Sequence, residues 1–146
     1  MSNERFRLKA AVYLMPIKEE KVLLSRRFNT GWMDGQYSLI AGHLDGNEKA
    51  SFAMIREAFE EAGIKIDSSD LVPVKVVHRH SSDDEYIDFF FVTKKWQGKP
   101  KIMETDKCDD LSWFAISELP ENILPHVRQV IESYRNNIPL IESGWE

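Results

Sequence analysis

Cysteine is nearly missing from this chain: Cys108 is its one cysteine in 146 residues. Without a second thiol there is no internal disulfide, which fits a reducing compartment and points to the cytoplasm. Long hydrophobic runs are missing too. No stretch approaches the roughly 20 apolar residues of a membrane span, so no membrane partner is expected. The opening, MSNERFRLKAAVYLMPI, puts charge first, and its short apolar run alternates with Arg and Lys like a strand. It lacks a small-residue cleavage site, so no signal peptide is expected. Positive charge is in deficit: 19 Lys and Arg stand against 24 Asp and Glu, a formal net charge of −5. That balance argues against bulk nucleic-acid binding through a basic surface. It leaves room for a nucleotide whose charge a metal neutralises. Repeats, low-complexity tracts and linkers are lacking, so residues 1–146 are expected to form a single domain.

What is present is enough for a core: 42% hydrophobic residues and 16 aromatics. Residues 6–17 alternate toward a strand, 18–21 (KEEK) form the turn, and 22–27 are the antiparallel partner. Residues 29–36, NTGWMDGQ, carry two glycines and an Asp and read as a loop. A short strand over 37–41 leads into Gly42. Asn47 is the expected N-cap of a helix that runs to Ala62, with Gly63 at C′. On a helical wheel Phe52, Ile55, Phe59 and Ala62 share one side, which predicts the core face. Residues 64–66, 72–80, 86–96 and 111–115 read as strands, and 97–108 as a charged loop. A second helix is expected over 125–136, opened by Pro125 and striped by Val127, Val130, Ile131 and Tyr134. Strands with two well-separated helices predict an α/β fold with a mixed sheet between helices.

The most informative stretch is 42–64, GHLDGNEKASFAMIREAFEEAGI. Glu57, Glu60 and Glu61 stand at i, i+3 and i+4 of the helix, a crowding that costs a few tenths of a kcal/mol per like-charged pair. A divalent cation on the cluster would repay it. Mg²⁺ prefers a shell of oxygens that includes waters and substrate phosphates, and Mn²⁺ accepts the same hard ligands. The frame is Gly42, Glu48, Arg56-Glu57, Glu60-Glu61 and Gly63 with fixed spacing, and it resembles the signature of the Nudix hydrolases at all seven positions. At roughly 7% usage per residue type, seven chance matches are on the order of 10⁻⁸ per starting point. Two positions depart from the pattern. Ala58 stands where the family usually has a larger aliphatic, and Ile40-Ala41 precede Gly42 where it often has Pro-Gly.

The resemblance implies an α/β/α sandwich and a Mg²⁺-dependent pyrophosphohydrolase of a nucleoside diphosphate linked to X. A chain of this size looks MutT-like, which implies nucleoside triphosphate going to monophosphate and pyrophosphate. By position it implies Glu57, Glu60, Glu61 and the Ala41 carbonyl as metal ligands, Arg56 as the residue orienting a catalytic glutamate, and Glu48 as ordering the loop and helix. The general base falls to Glu60 or Glu57, or to a later loop acid such as Glu104 or Asp106. Arg27 matches a phosphate-contacting arginine, with an ordinary salt bridge as the other reading. His43 is placed to meet a phosphate or to lie as a loop histidine. His78 and His80 share a strand face and are read either as substrate contacts or as a half-exposed face. Trp32 and Tyr37 would stack on a base or pack. The tract SQPWPFPxS that marks NADH-cleaving members is absent. Nucleotide sugars and dinucleoside polyphosphates remain alternative substrates. An isomerase of the isopentenyl-diphosphate type and a non-catalytic nucleotide sensor are the alternatives from other classes. A small-molecule nucleotide is the expected partner, and a homodimer is left open.

Overall fold

The computed structural model describes residues 4–145. The chain runs β1 (Lys9–Lys18), β2 (Lys21–Arg27), β3 (Tyr37–Ser38), β4 (Ile40–His43), α1 (Ala50–Ala62), β5 (Val72–Ser81), β6 (Asp84–Thr93), β7 (Cys108–Ala115), α2 (Pro125–Ser133) and β8 (Leu140–Ser143). A 3₁₀ turn at Ser68–Asp70 links α1 to β5. β1 is the hub. Its first half pairs antiparallel with β4, its length runs parallel to β6, and its end forms a hairpin with β2. Glu19 and Glu20 both take positive φ, 53° and 60°, as a two-residue turn between paired strands requires. β6 continues antiparallel to β5, and β5 parallel to β8, while β7 and β3 extend from β2.

The sheet is mixed and covered on both sides, so the central strand β1 is apolar at every position from Ala11 to Ile17 rather than at every second one. Along β1, Tyr13, Met15 and Ile17 pack with Val127, Val130 and Ile131 of α2, while Val12 and Leu14 pack with α1. β6 repeats the division: Phe90 faces α2 and Phe91 faces α1. The result is the α/β/α sandwich expected from the sequence.

Helix α1 differs from its wheel reading. Ala53, Met54, Ala58 and Ala62 are fully buried, whereas Phe52 is 60% exposed and Phe59 47% exposed. The helix packs through its alanines, so its backbone lies close to the sheet. Ala58, the departure from the family pattern, is at the centre of that contact. The helix also starts later than expected. Lys49 occupies the N-cap without a side-chain cap bond, and Asn47 sits in a left-handed turn at φ 57°. Its end agrees with the sequence: Gly63 takes φ 68° and donates to the Phe59 carbonyl. Residues 64–66 form only a bridge, Lys65 to Gln97, and β8 has no counterpart in the sequence reading.

The two faces of α1 make a direct contrast in stability. Met54→Ala is expected to cost about 2–5 kcal/mol, and Phe52→Ala to stay within about 0.5 kcal/mol. Urea unfolding of both variants checks the assignment, and a larger loss at Phe52 would reverse it.

Candidate active site

β4 and α1 bring the acidic face and the glycine strand together. A Cβ on Gly42 would stand 2.5 Å from Glu57 Oε1 and 2.6 Å from its Cγ. Only a bare backbone lets the Glu57 side chain lie across that strand. Arg56 organises the helix side. It donates to Glu48 Oε1 at 2.8 Å, Glu57 Oε1 at 2.9 Å and Glu60 Oε2 at 3.3 Å, with Asp45 at 3.8 Å. These carboxylates raise the Arg56 guanidinium further above its already high range, the Glu48 bond most of all. In return the Arg56 bond draws the Glu48 carboxyl below its ordinary value.

Glu61 stands one turn on, at the floor of the same cleft. Desolvation by the surrounding protein pushes its carboxyl well above the ordinary 4.5, and Glu57 and Glu104 push the same way. The Ala41 N–H donates to it and pulls weakly in the opposite direction. Glu104 arrives on the 97–107 loop, which is fastened to the end of α1. Met103 N donates to the Glu61 carbonyl at 3.2 Å and Lys101 N to the Ala62 carbonyl at 3.0 Å. Glu57, Glu60, Glu61 and Glu104 thus line one cleft of about 590 Å³, whose other walls include Arg26, Arg27, Gly42, His43 and Lys107.

The donor set is all hard oxygen, and the crowded, desolvated carboxyl of Glu61 is what a divalent cation would relieve; the residues fit Mg²⁺ or Mn²⁺. The three glutamates of the box do not share one point, however. Among the described residues no three acidic, histidine or cysteine side chains converge as a ready-made metal cluster. Glu60 lines the same cleft, 52% exposed, and accepts from Arg56 at 3.3 Å.

The remaining expected residues divide. Arg27 reaches the cleft at a β-bulge, its Nε donating to the Trp32 carbonyl at 2.7 Å and its Nη2 to Thr30 Oγ1 at 2.9 Å. Its guanidinium lies 4.8 Å from the Trp32 ring. Tyr37 does not reach the cleft. It is buried, packs edge-on against Phe114 and donates to Asp110, and its hydroxyl is pushed up to about 12, by burial first and Asp110 second. Asp109 pairs with Arg26 at 2.7 Å, and Asp106 is exposed outside the cleft. His78 and His80 are absent from its walls: both pack against Trp145, and His78 meets Glu85 at 3.2 Å.

Strand alternation sends Arg79, between the two histidines, to the opposite face. There it helps line a second cleft of about 370 Å³ with Trp32, Tyr86 and Ser82, which shares Arg27, Gly42 and His43 with the first. Two histidines in alternation were the signal that the residue between them looks the other way.

The family model described as "NUDIX domain" matches residues 5–134. The NAD-capped RNA hydrolase NudC of Pseudomonas putida (strain GB-1) is 21% identical over 114 residues, 78% of this chain and 39% of its own length. That of Pseudomonas entomophila (strain L48) is 23% identical over the same shares. The chain therefore spans about two fifths of the length of the curated relatives it matches. Among solved structures, a MutT NUDIX hydrolase from Burkholderia pseudomallei superposes with a TM-score of 0.81 at 22% identity, covering 87% of this chain and 98% of that one. The E. coli ORF135 protein gives 0.74 at 19%, covering 88% and 89%. At these identities the structures show the shared fold.

The raised Glu61 carboxyl gives stability a pH dependence. Below 4.5 both folded and unfolded chains hold the proton. Above it the unfolded chain releases the proton while the folded chain retains it, so stability falls as pH climbs toward the raised value. In EDTA, wild type is expected to lose urea resistance relative to Glu61→Gln as pH rises from 4.5 toward 8; parallel curves would contradict this.

Proposed function

The chain belongs to the NUDIX family, whose hydrolases act on pyrophosphate bonds, and on that premise we propose that it is a divalent-cation-dependent pyrophosphohydrolase of nucleoside diphosphates linked to X. The favoured substrate class is the nucleoside triphosphates. Water adds across the phosphoric anhydride, and nucleoside monophosphate and pyrophosphate leave. The observation that carries this reading is that Glu57, Glu60, Glu61 and Glu104 all line one cleft beside Gly42 and Arg27.

Glu57, Glu61 and the Ala41 carbonyl are the residues we assign to the cation, taken to be Mg²⁺. Bound there, it would neutralise phosphate charge and activate water. Arg56 keeps Glu57 in place by its 2.9 Å bond and is itself steadied by Glu48. Arg27 presents a fixed guanidinium to a phosphate, because its own carbonyl and hydroxyl contacts set its plane. Glu104 is our choice of proton acceptor: it and Glu60 both line the cleft, but Glu60 is engaged by Arg56 and 52% exposed, whereas Glu104 sits on a loop tied to α1. A dinucleotide substrate is the second reading. The matches to proteins named as NAD-capped RNA hydrolases support it, and the missing NADH tract counts against it.

A panel of NTPs, dNTPs, nucleotide sugars and dinucleotides, assayed with Mg²⁺ in ¹⁸O water with products weighed by mass spectrometry, tests the reading. Absence of turnover across the panel with Mg²⁺ and Mn²⁺ would overturn it. Glu104→Gln is expected to lower kcat about 10²- to 10⁴-fold with little change in the Mg²⁺ concentration needed; if Glu60→Gln does so instead, the base is Glu60. Gly42→Ala, by displacing Glu57, is expected to cost about a hundredfold in kcat while circular dichroism remains that of the folded protein.

A further inference from the structure

The second cleft contains a buried cation whose donors are only partly used. Arg79 has 8% of its side chain exposed and pairs with the fully buried Asp88. Its Nε donates to Oδ2 at 2.7 Å and its Nη2 to Oδ1 at 3.3 Å. The guanidinium plane rests 4.2 Å from the Tyr86 ring centroid. Position and plane are therefore set from two directions. A guanidinium has five N–H donors and no acceptor, and Asp88 takes two. Among the described residues, the Tyr134 hydroxyl is the one buried side-chain polar atom without a partner. Arg79 Nη1, which Asp88 does not engage, is thus not sealed in the core, and the cavity that Arg79 lines is where it opens.

The surroundings define what would meet them. Trp32, 42% exposed, presents an indole on a loop that Asp34 ties through the Thr30 and Gly31 N–H groups. Asp84 is the carboxylate in the wall, and Lys9 holds it at 3.0 Å. Ser81 and Ser82 supply hydroxyls that serve either way. Arg27, Gly42 and His43 belong to both clefts, so a ligand with phosphates in the first reaches the second past them.

We infer that Arg79 is a specificity-determining residue that reads the carbonyl edge of the substrate's nucleobase in the second cleft. This rests on the nucleotide-hydrolase reading of the first cleft. A donor-only group favours a base edge made of acceptors. A 6-oxopurine sets a carbonyl oxygen beside a ring nitrogen, and both accept from one guanidinium. Uracil offers single carbonyls. Adenine sets an amino donor beside its ring nitrogen, so one of the two contacts becomes donor against donor. Trp32 adds stacking that every base satisfies.

Calorimetric binding of GMP, IMP, UMP and AMP in EDTA tests this without turnover. GMP and IMP are expected to bind roughly tenfold to a hundredfold more tightly than AMP, with UMP between. Arg79→Gln combined with Asp88→Asn keeps an amide pair in place of the ion pair and is expected to bring all four within about threefold. Trp32→Ala, an exposed change, is expected to weaken all four alike and leave their ratios. Equal binding by wild type, or a preference that survives the double variant, would overturn the inference. The two readings fail separately. Arg79-dependent selectivity in a protein that hydrolyses no nucleotide would sink the hydrolase reading alone. Equal turnover of GTP and ATP with equal binding would sink this one alone.

Discussion

One guanidinium stands at the centre of the acidic face, and the geometry of the first cleft depends on it. Arg56 touches Glu48, Glu57 and Glu60 together. Without it, like charges a turn apart would repel and the side chains would spread into solvent. With it, Glu57 lies across Gly42 while Glu60 stays beside it on the same cleft wall, both held by one guanidinium. Glu61 receives no such support. It stays in the crowded floor of the cleft between Glu57 and Glu104, which leaves a concentration of negative potential where an incoming cation would settle.

The second cleft follows the opposite arrangement. Its buried charge is positive and already neutralised by Asp88, so it offers direction rather than net attraction. A desolvated pair of this kind is costly to assemble and exacting once made. The two clefts meet at Arg27, Gly42 and His43, and so pair an electrostatic anchor with a hydrogen-bonding reader.

Much of this was legible in the chain. The spacing of the box glutamates, the helix stop at Gly63, the β1–β2 hairpin and the Pro125 helix start are local effects, set by backbone conformation over a few residues. What escaped reading depends on partners distant in sequence. The wheel placed Phe52 and Phe59 inward because it weighs hydrophobicity, while the sheet selects the side that permits closest approach, which is the alanine side. Tyr37 was drawn into the core by Asp110 and Phe114, more than seventy residues away. β8 is four residues long and gains its identity from β5. Glu104 was one acid among several on its loop until the loop's bonds to α1 singled it out.

Those bonds tie three acids to a single turn of helix. Glu57 and Glu61 project from the last turns of α1, and the carbonyls of Glu61 and Ala62 hold the loop that carries Glu104. Helix ends are where native structure opens most readily. Fraying there would release Glu57, Glu61 and Glu104 in one event, while both cores stayed packed. The site would behave as one cooperative unit with its own opening equilibrium, able to switch off well before the sandwich around it melts.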